Sequence, residues 1–296
     1  MRHLYFRPFI VLLLAFCISA PAFAQSATTT QTKSLLWEVS GNGLKQPSYI
    51  FGTIHAICPA NFKLTDAVKD KLSKSERLSL EVDMDAPNFL VELQQSALLP
   101  KGSTLRGYFT EKDYTLLSDY FRKNLQLELT QLDRMKPFML HSMLLSQLTE
   151  CQAVSYEQSL MELAQKQGKE VIGLETVSEQ LSAIDEMPAN VQTTMLTKMI
   201  SNMDEARETY RNMVKLYLQQ DLDGLDQLSR KEYEVKEYKV YEQAFLVKRN
   251  KRWIPVMERE AQIQPTFFAV GAGHLTGEDG LLQLLRKKGY TVQPVP

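Results

Sequence analysis

The sequence predicts an α/β protein (α+β in mixed-sheet terms): a central mixed sheet with a strand-end active site and two large helical insertions forming a cap. Three observations predict it. Short apolar runs bounded by glycine and proline lie near both ends of the chain and once in its middle. Stretches of helical apolar spacing separate them. Two of the runs, Phe51-Gly52-Thr53-Ile54-His55 and Phe268-Ala269-Val270-Gly271-Ala272-Gly273-His274, share a frame in which a strand meets a glycine and a histidine follows three residues on.

At 296 residues, 44% hydrophobic and 23% charged, the chain can bury a sizeable core. Its net charge of −1 gives no support for a nucleic-acid or anionic-membrane partner. At the N-terminus, Arg2, His3 and Arg7 precede the apolar run Phe9 to Phe16, and Pro21-Ala22-Phe23-Ala24 supplies an Ala-x-Ala cleavage pattern. The run falls short of the roughly 20 apolar residues that a span needs. Residues 1–24 therefore read as a signal peptide and 25–33 as a flexible leader. Residues 34–296 read as a single domain, exported, with the periplasm the expected compartment and no stable membrane span after cleavage. Cys58 and Cys151 then remain as the only cysteines, in a setting where disulfides persist. A bridge between them would close a loop of about 90 residues and stabilise the fold by roughly 4 kcal/mol; two unpaired buried thiols are the alternative.

Leu35 to Val39 and Ser48 to Phe51 read as a strand pair, with Gly41-Asn42-Gly43 and Pro47 in the turn between them. Thr65 to about Leu72 has helical spacing, and Arg77 to Asp83 alternates as a strand, so the segment resembles a βαβ unit. A helical insertion of several pieces follows, about 85–168, in which Thr110 to Asp113 resembles a capping box. Glu170 to Glu175 reads as a core strand, and Thr176-Val177-Ser178-Glu179 as the capping box of the next helix. The second insertion, about 187–262, opens with one long helix from Pro188 to about Gln220, with Met195, Met199, Met203, Tyr210, Val214 and Leu218 on related faces. The chain re-enters the sheet at Pro265. Thr276 is expected to cap a helix with Glu278 and Asp279 in its first turn, and Tyr290 to Pro294 forms the last strand.

After the signal only His55, His141 and His274 remain. His141 lies in an apolar run and reads as a packed residue. His55 and His274 share the Gly-x-x-His frame, and Glu81 and Glu175 each end a strand. If these strands lie parallel beside those carrying the histidines, all four side chains converge on one sheet edge. Two imidazoles and a carboxylate suit a catalytic divalent metal with open positions. A second carboxylate would act as general base or orient a ligand. Arg249, in Arg249-Asn250-Lys251-Arg252, would hold a carboxylate or a developing oxyanion. Other templates fail: the chain has no His-Glu-x-x-His and no Gly-x-Ser-x-Gly, and Thr276 stands where a dinucleotide loop needs its third glycine.

Four blocks together resemble the TraB/GumN family, which includes the Tiki metalloproteases. They are Phe51 to His55, Leu80 to Asp83, Ile172 to Glu175 with Gln180, and Arg249-Asn250 leading into Val270 to His274. The resemblance implies a divalent-metal-dependent hydrolase, with His55, His274 and Glu81 as ligands of Mn²⁺, Co²⁺ or Zn²⁺. Glu175 and Arg249 fall in further family blocks as catalytic candidates, and the expected partner is a peptide or small-molecule substrate. The wider clan also contains esterase-like enzymes that use a histidine base without metal. Two alternatives therefore stand beside the metal-dependent peptidase: a metal-free hydrolase, and a non-catalytic protein that binds a peptide or other ligand.

Overall fold

The computed structural model describes residues 33–232 and 235–296. The expected signal peptide and nearly all of the leader lie outside the described residues. In chain order the elements begin with β1 (Leu36–Ser40), β2 (Ser48–Thr53), α1 (Asp66–Lys74), β3 (Arg77–Val82), α2 (Phe89–Ser96), α3 (Glu111–Tyr120), α4 (Pro137–Leu145) and α5 (Tyr156–Lys166). Then come β4 (Glu170–Glu175), α6 (Val177–Asp185), α7 (Ala189–Ser201), α8 (Met203–Leu218), α9 (Leu222–Glu232), α10 (Val235–Tyr241), α11 (Lys248–Ile263), β5 (Thr266–Gly271), α12 (Leu281–Lys287) and β6 (Thr291–Pro294).

Six strands form one mixed sheet in the order β4-β3-β5-β2-β1-β6. The first four run parallel, while β1 is antiparallel to both β2 and β6. Central parallel strands are covered on both faces, so they read as continuous apolar runs rather than alternating ones. That is why β2 and the first five residues of β5 are buried throughout. The βαβ expectation is modified in one respect. β2 and β3 are parallel but not neighbours, because β5, from the far end of the chain, lies between them.

The pairing of β3 with β5 covers only Arg77–Ser79 against Thr266–Phe268. Beyond it no ladder pairs are present, although β5 stays paired with β2 as far as Thr53↔Gly271. By strand order, the chain leaving β3 next adds β4 on one side, whereas the chain leaving β5 next adds β6 on the other. A crevice at such a switch point is where open α/β sheets hold ligands.

Helices flank this sheet and extend beyond it. From the insertion at about 85–168, α5 packs on β3 and β4; from that at about 187–262, α11 packs on β4 and α12. Between them, α3, α4 and α7 bury a second apolar cluster around Leu117, Phe121, Leu140, Leu144 and Leu196. Val82, Val177, Leu181 and Ile184, with α2 residues Phe89 and Leu93 against them, form a smaller cluster beside the β3 end.

Two helix expectations are corrected. The long helix from Pro188 is two, α7 and α8, because Asn202 leaves helical geometry (φ −127°, ψ 42°). Tyr217, rather than the exposed Leu218, faces the core. Thr276 does not cap a helix. α12 starts at Leu281 behind Gly280, so Glu278 and Asp279 precede it rather than occupying its first turn. A Cβ at Gly280 would lie 2.2 Å from the Thr276 carbonyl oxygen, and that close approach explains the glycine.

Candidate active site

The carboxyl ends of the four parallel strands deliver the candidate residues side by side. Glu175 ends β4, Glu81 stands one residue before the end of β3, His274 follows β5 and His55 follows β2. Where the β3–β5 ladder stops, Glu81 Oε1 accepts the Gly271 N–H at 2.8 Å. Its Oε2 accepts from Gln180 Nε2 at 3.0 Å and from Arg249 Nη2 at 2.6 Å. A carboxylate on an otherwise apolar strand is thus held by three donors, one on Oε1 and two on Oε2. Burial opposes its charge, yet Arg249, the two imidazoles and the Gly271 N–H hold it well below the usual carboxylate range.

Arg249 comes from the first turn of α11 and is itself buried. Nε donates to Glu175 Oε1 at 2.8 Å, Nη1 donates to the Phe245 carbonyl at 3.0 Å, and Nη1 lies 3.2 Å from His274 Nε2. One planar fork therefore spans both carboxylates, a geometry that lysine cannot reproduce. The Arg249 guanidinium also lies over the Trp253 ring, 4.6 Å from its centre. Burial raises the Glu175 pKa, an effect that Arg249 and the Trp253 indole reduce without reversing.

Both histidines are fixed through Nδ1. Asn250 Nδ2 donates to the carbonyls of His274 and Asp279, so Asn250 Oδ1 is left as the acceptor for His274 Nδ1, at 2.7 Å. His55 Nδ1 lies 2.9 Å from Glu157 Oε1, and an ionised carboxylate can only accept. Each ring therefore keeps a proton on Nδ1; His274 presents its Nε2 lone pair, and His55 presents one once its second proton has left. Burial, with the Arg249 charge added, lowers His274 to about 3, so its imidazole is neutral. Partial burial opposes charge on His55, but the hydrogen bond and charge of Glu157, with Glu81 behind, raise it to about 9.

Exposure separates the two. The His55 side chain is 71% exposed and that of His274 is 5%, so the site is approached from the His55 side.

Gly271 gives the convergence a position. A Cβ there would lie 3.3 Å from Glu81 Oε1, 3.5 Å from His55 Nε2 and 3.7 Å from His274 Cδ2. The absent side chain leaves a cradle bordered by Glu81 Oε1, His55 Nε2 and the Cδ2 edge of the His274 ring, residue types that suit a divalent transition ion. Among the described residues, no group of three His, Cys, Asp or Glu side chains is gathered to hold an ion as it stands. The Arg249 guanidinium lies against Glu81 and His274.

Sequence reasoning named His55, Glu81, Glu175, Arg249 and His274, and these five lie together. It missed Glu157. In sequence, Ser155-Tyr156-Glu157 reads as an N-cap and a first-turn acid, and only the fold carries it to His55. It also gave no role to Asn250 or Trp253, whose ring lies 4.4 Å from that of His274. Cys58 and Cys151 form a disulfide, which resolves the thiol alternative.

Together these features define a mixed α/β protein with a histidine–carboxylate–arginine cluster at its strand ends. The chain belongs to the TraB/PrgY/gumN family, whose model matches residues 35–294. It is similar to "Metalloprotease TIKI2" of Danio rerio, 24% identical over 319 residues that take in 89% of this chain and 61% of that protein. It is similar also to "Metalloprotease TIKI homolog" of Amphimedon queenslandica, at 24% over 341 residues, 96% of this chain and 66% of that one. For "Metalloprotease TIKI1" of Homo sapiens the identity is 22% over 322 residues, 90% and 63% respectively. The chain thus spans under two thirds of the length of these relatives. No solved structure matches it.

Proposed function

We propose that this protein is an exported, divalent-metal-dependent hydrolase that cleaves peptides, with His55, Glu81 and His274 holding the ion. The observation that carries the reading is the cradle over Gly271, faced by Glu81 Oε1, His55 Nε2 and His274, with both imidazoles anchored through Nδ1. Support also comes from similarity to proteins named metalloproteases. Export is supported by the Cys58–Cys151 disulfide and the N-terminal sequence pattern. The periplasm is the compartment that pattern suits, and Mn²⁺, Co²⁺ and Zn²⁺ all suit the donor set.

A bound divalent ion would supply Lewis acidity, bringing water within reach of deprotonation at neutral pH. The chain's residues divide the remaining work. Glu175, whose pKa burial raises, accepts the proton from the attacking water. Arg249, held by both carboxylates, would offer the Nη1 N–H that now lies 3.2 Å from His274 Nε2 to the charge that develops on the substrate oxygen. Gln180 and the Gly271 N–H keep Glu81 oriented throughout.

The test is calorimetry on metal-stripped protein, with a peptide-library digest with and without chelator. Wild type should bind one ion, and His55→Ala and His274→Ala should each lose it together with cleavage. Equal metal affinity in wild type and both variants would falsify the site. A second reading, a metal-free hydrolase with a histidine base, is favoured by one observation: Arg249 already neutralises Glu81. Cleavage that survives exhaustive chelation would select it. Peptide bound but recovered intact after long incubation would select a binding protein instead.

A further inference from the structure

Glu157 is buried, charged, and used by none of the steps above. Its carboxylate has three partners: Thr53 Oγ1 donates to Oε1 at 2.5 Å, His55 Nδ1 meets the same oxygen at 2.9 Å, and Ser155 Oγ donates to Oε2 at 2.7 Å. Two hydroxyls thus fix the carboxylate, and the carboxylate fixes the ring.

Glu157 is also held at the level of the chain. It lies in the first turn of α5, while His55 lies just beyond β2, more than a hundred residues earlier. Between the two segments, Ile57 and Val154 exchange backbone hydrogen bonds at 3.0 and 2.8 Å, and the Cys58–Cys151 disulfide links the residues that flank that pair. The Tyr210 hydroxyl donates to the Ala56 carbonyl and the Tyr217 hydroxyl to the Gly52 carbonyl, so α8 grips the end of β2 and the loop that follows it. The clamp brings a carboxylate to an imidazole whose outer face is in solvent. His274, deep in the site, has a neutral amide in the same role.

We infer that Glu157 is a positioning residue, which through Thr53, Ser155 and the disulfide-clamped Ile57–Val154 pair fixes the His55 ring with a proton on Nδ1 and Nε2 beside Gly271. The inference rests on the reading that His55 belongs to the reactive site, and its test does not depend on turnover. A carboxylate on the far nitrogen of an imidazole ligand sets its tautomer and raises its basicity, and losing it costs about 10–100-fold in metal affinity.

The experiment uses the whole exported chain, wild type and Glu157→Ala, stripped of metal. Long-range nitrogen–proton NMR correlations at an alkaline pH, where both imidazoles are neutral, give the tautomer of each. In wild type both His55 and His274 should carry the proton on Nδ1. In Glu157→Ala, His55 should shift toward the Nε2-protonated form, while His274, held by Asn250, stays unchanged and reports an intact fold. Glu157→Gln, which keeps an acceptor oxygen, should restore the wild-type tautomer. Should the alanine variant not fold, Glu157→Leu retains most of the volume and carries the same comparison.

An unchanged His55 tautomer in the Ala or Leu variant would overturn the inference. Mn²⁺ titration adds the second readout. Affinity should fall about 10–100-fold in Glu157→Ala and recover in part in Glu157→Gln, and equal affinity in all three would overturn the role. If wild type takes up none of Mn²⁺, Co²⁺ and Zn²⁺, the metal reading fails and the tautomer comparison alone decides for or against Glu157.

Discussion

Arg249 spans two buried carboxylates, and removing it leaves both without their counter-charge. Arg249→Met keeps much of the stem and should cost about 3–5 kcal/mol in urea denaturation at pH 7. Arg249→Lys should recover only part, because a single ammonium cannot reach Glu81 and Glu175 as the fork does. A loss below about 1 kcal/mol for the methionine variant would mean that the guanidinium is not what stabilises these carboxylates. His141 gives a pH prediction. Burial lowers it from 6.5 to about 4, and its Nδ1 has no hydrogen-bond partner among the described residues. Between those two values the unfolded chain binds a proton that the folded chain refuses. Stability therefore falls as pH drops from 6.5 toward 4, with the full deficit reached below 4. His141→Phe, beside the Phe138 ring at 5.7 Å, should flatten that part of the stability–pH curve. Matching slopes in the two proteins would remove His141 as the cause. At this scale the sequence was legible where chemistry is scarce. With four histidines in the sequence and two of them in one frame, His55 and His274 stood out, whereas Glu157 is one of many glutamates and its neighbours mark only a helix start.

Elements whose local chemistry and tertiary role agree were the readable ones. Glu170–Glu175 is a strand with the expected bounds, and Thr176 with Glu179 forms the reciprocal capping box, because both signals are satisfied within a few residues. Thr276 carried an equally good local signal and lost. Its hydroxyl instead donates to the Gly273 carbonyl, behind the single helical turn Ala272–Leu275 that brings His274 inward. The start of α12 is set by Gly280, whose missing side chain lets the backbone pass the Thr276 and Leu275 carbonyls. Gly280→Ala would put a Cβ 2.2 and 2.6 Å from those oxygens and force the turn open, although its φ of −72° suits alanine. The expected cost is about 1–3 kcal/mol, read as a lower melting midpoint; an unchanged midpoint would show that the turn relaxes freely. Asn202 splits α7 from α8 for a reason of the same kind. α7 buries Leu196 and Ile200 in the outer cluster, whereas α8 turns Val214 and Tyr217 to the sheet core, and one straight helix cannot serve both.

Across the whole molecule, the Cys58–Cys151 bridge closes a loop with a sequence separation of 93, containing β3 and α1 to α4. Replacing both cysteines by serine should lower stability by about 4 kcal/mol in the chain-entropy model, measured as a shift of the denaturation midpoint between oxidised wild type and the double variant. Coincident midpoints would leave the bridge without a stabilising role. The sequence by itself determined the class of fold, the strands, and the pair of strand-end histidines with Glu81 and Glu175. It did so because burial of the central strands, period and turn chemistry act over a few residues, and because rare residues in a repeated frame are conspicuous. Tertiary structure alone decided that β5 enters between β2 and β3, that Arg249 joins both carboxylates, and that Glu157 crosses to His55. These depend on which distant segments share a sheet edge. That is set by how the chain buries its apolar area as a whole, and no local stretch of sequence carries it.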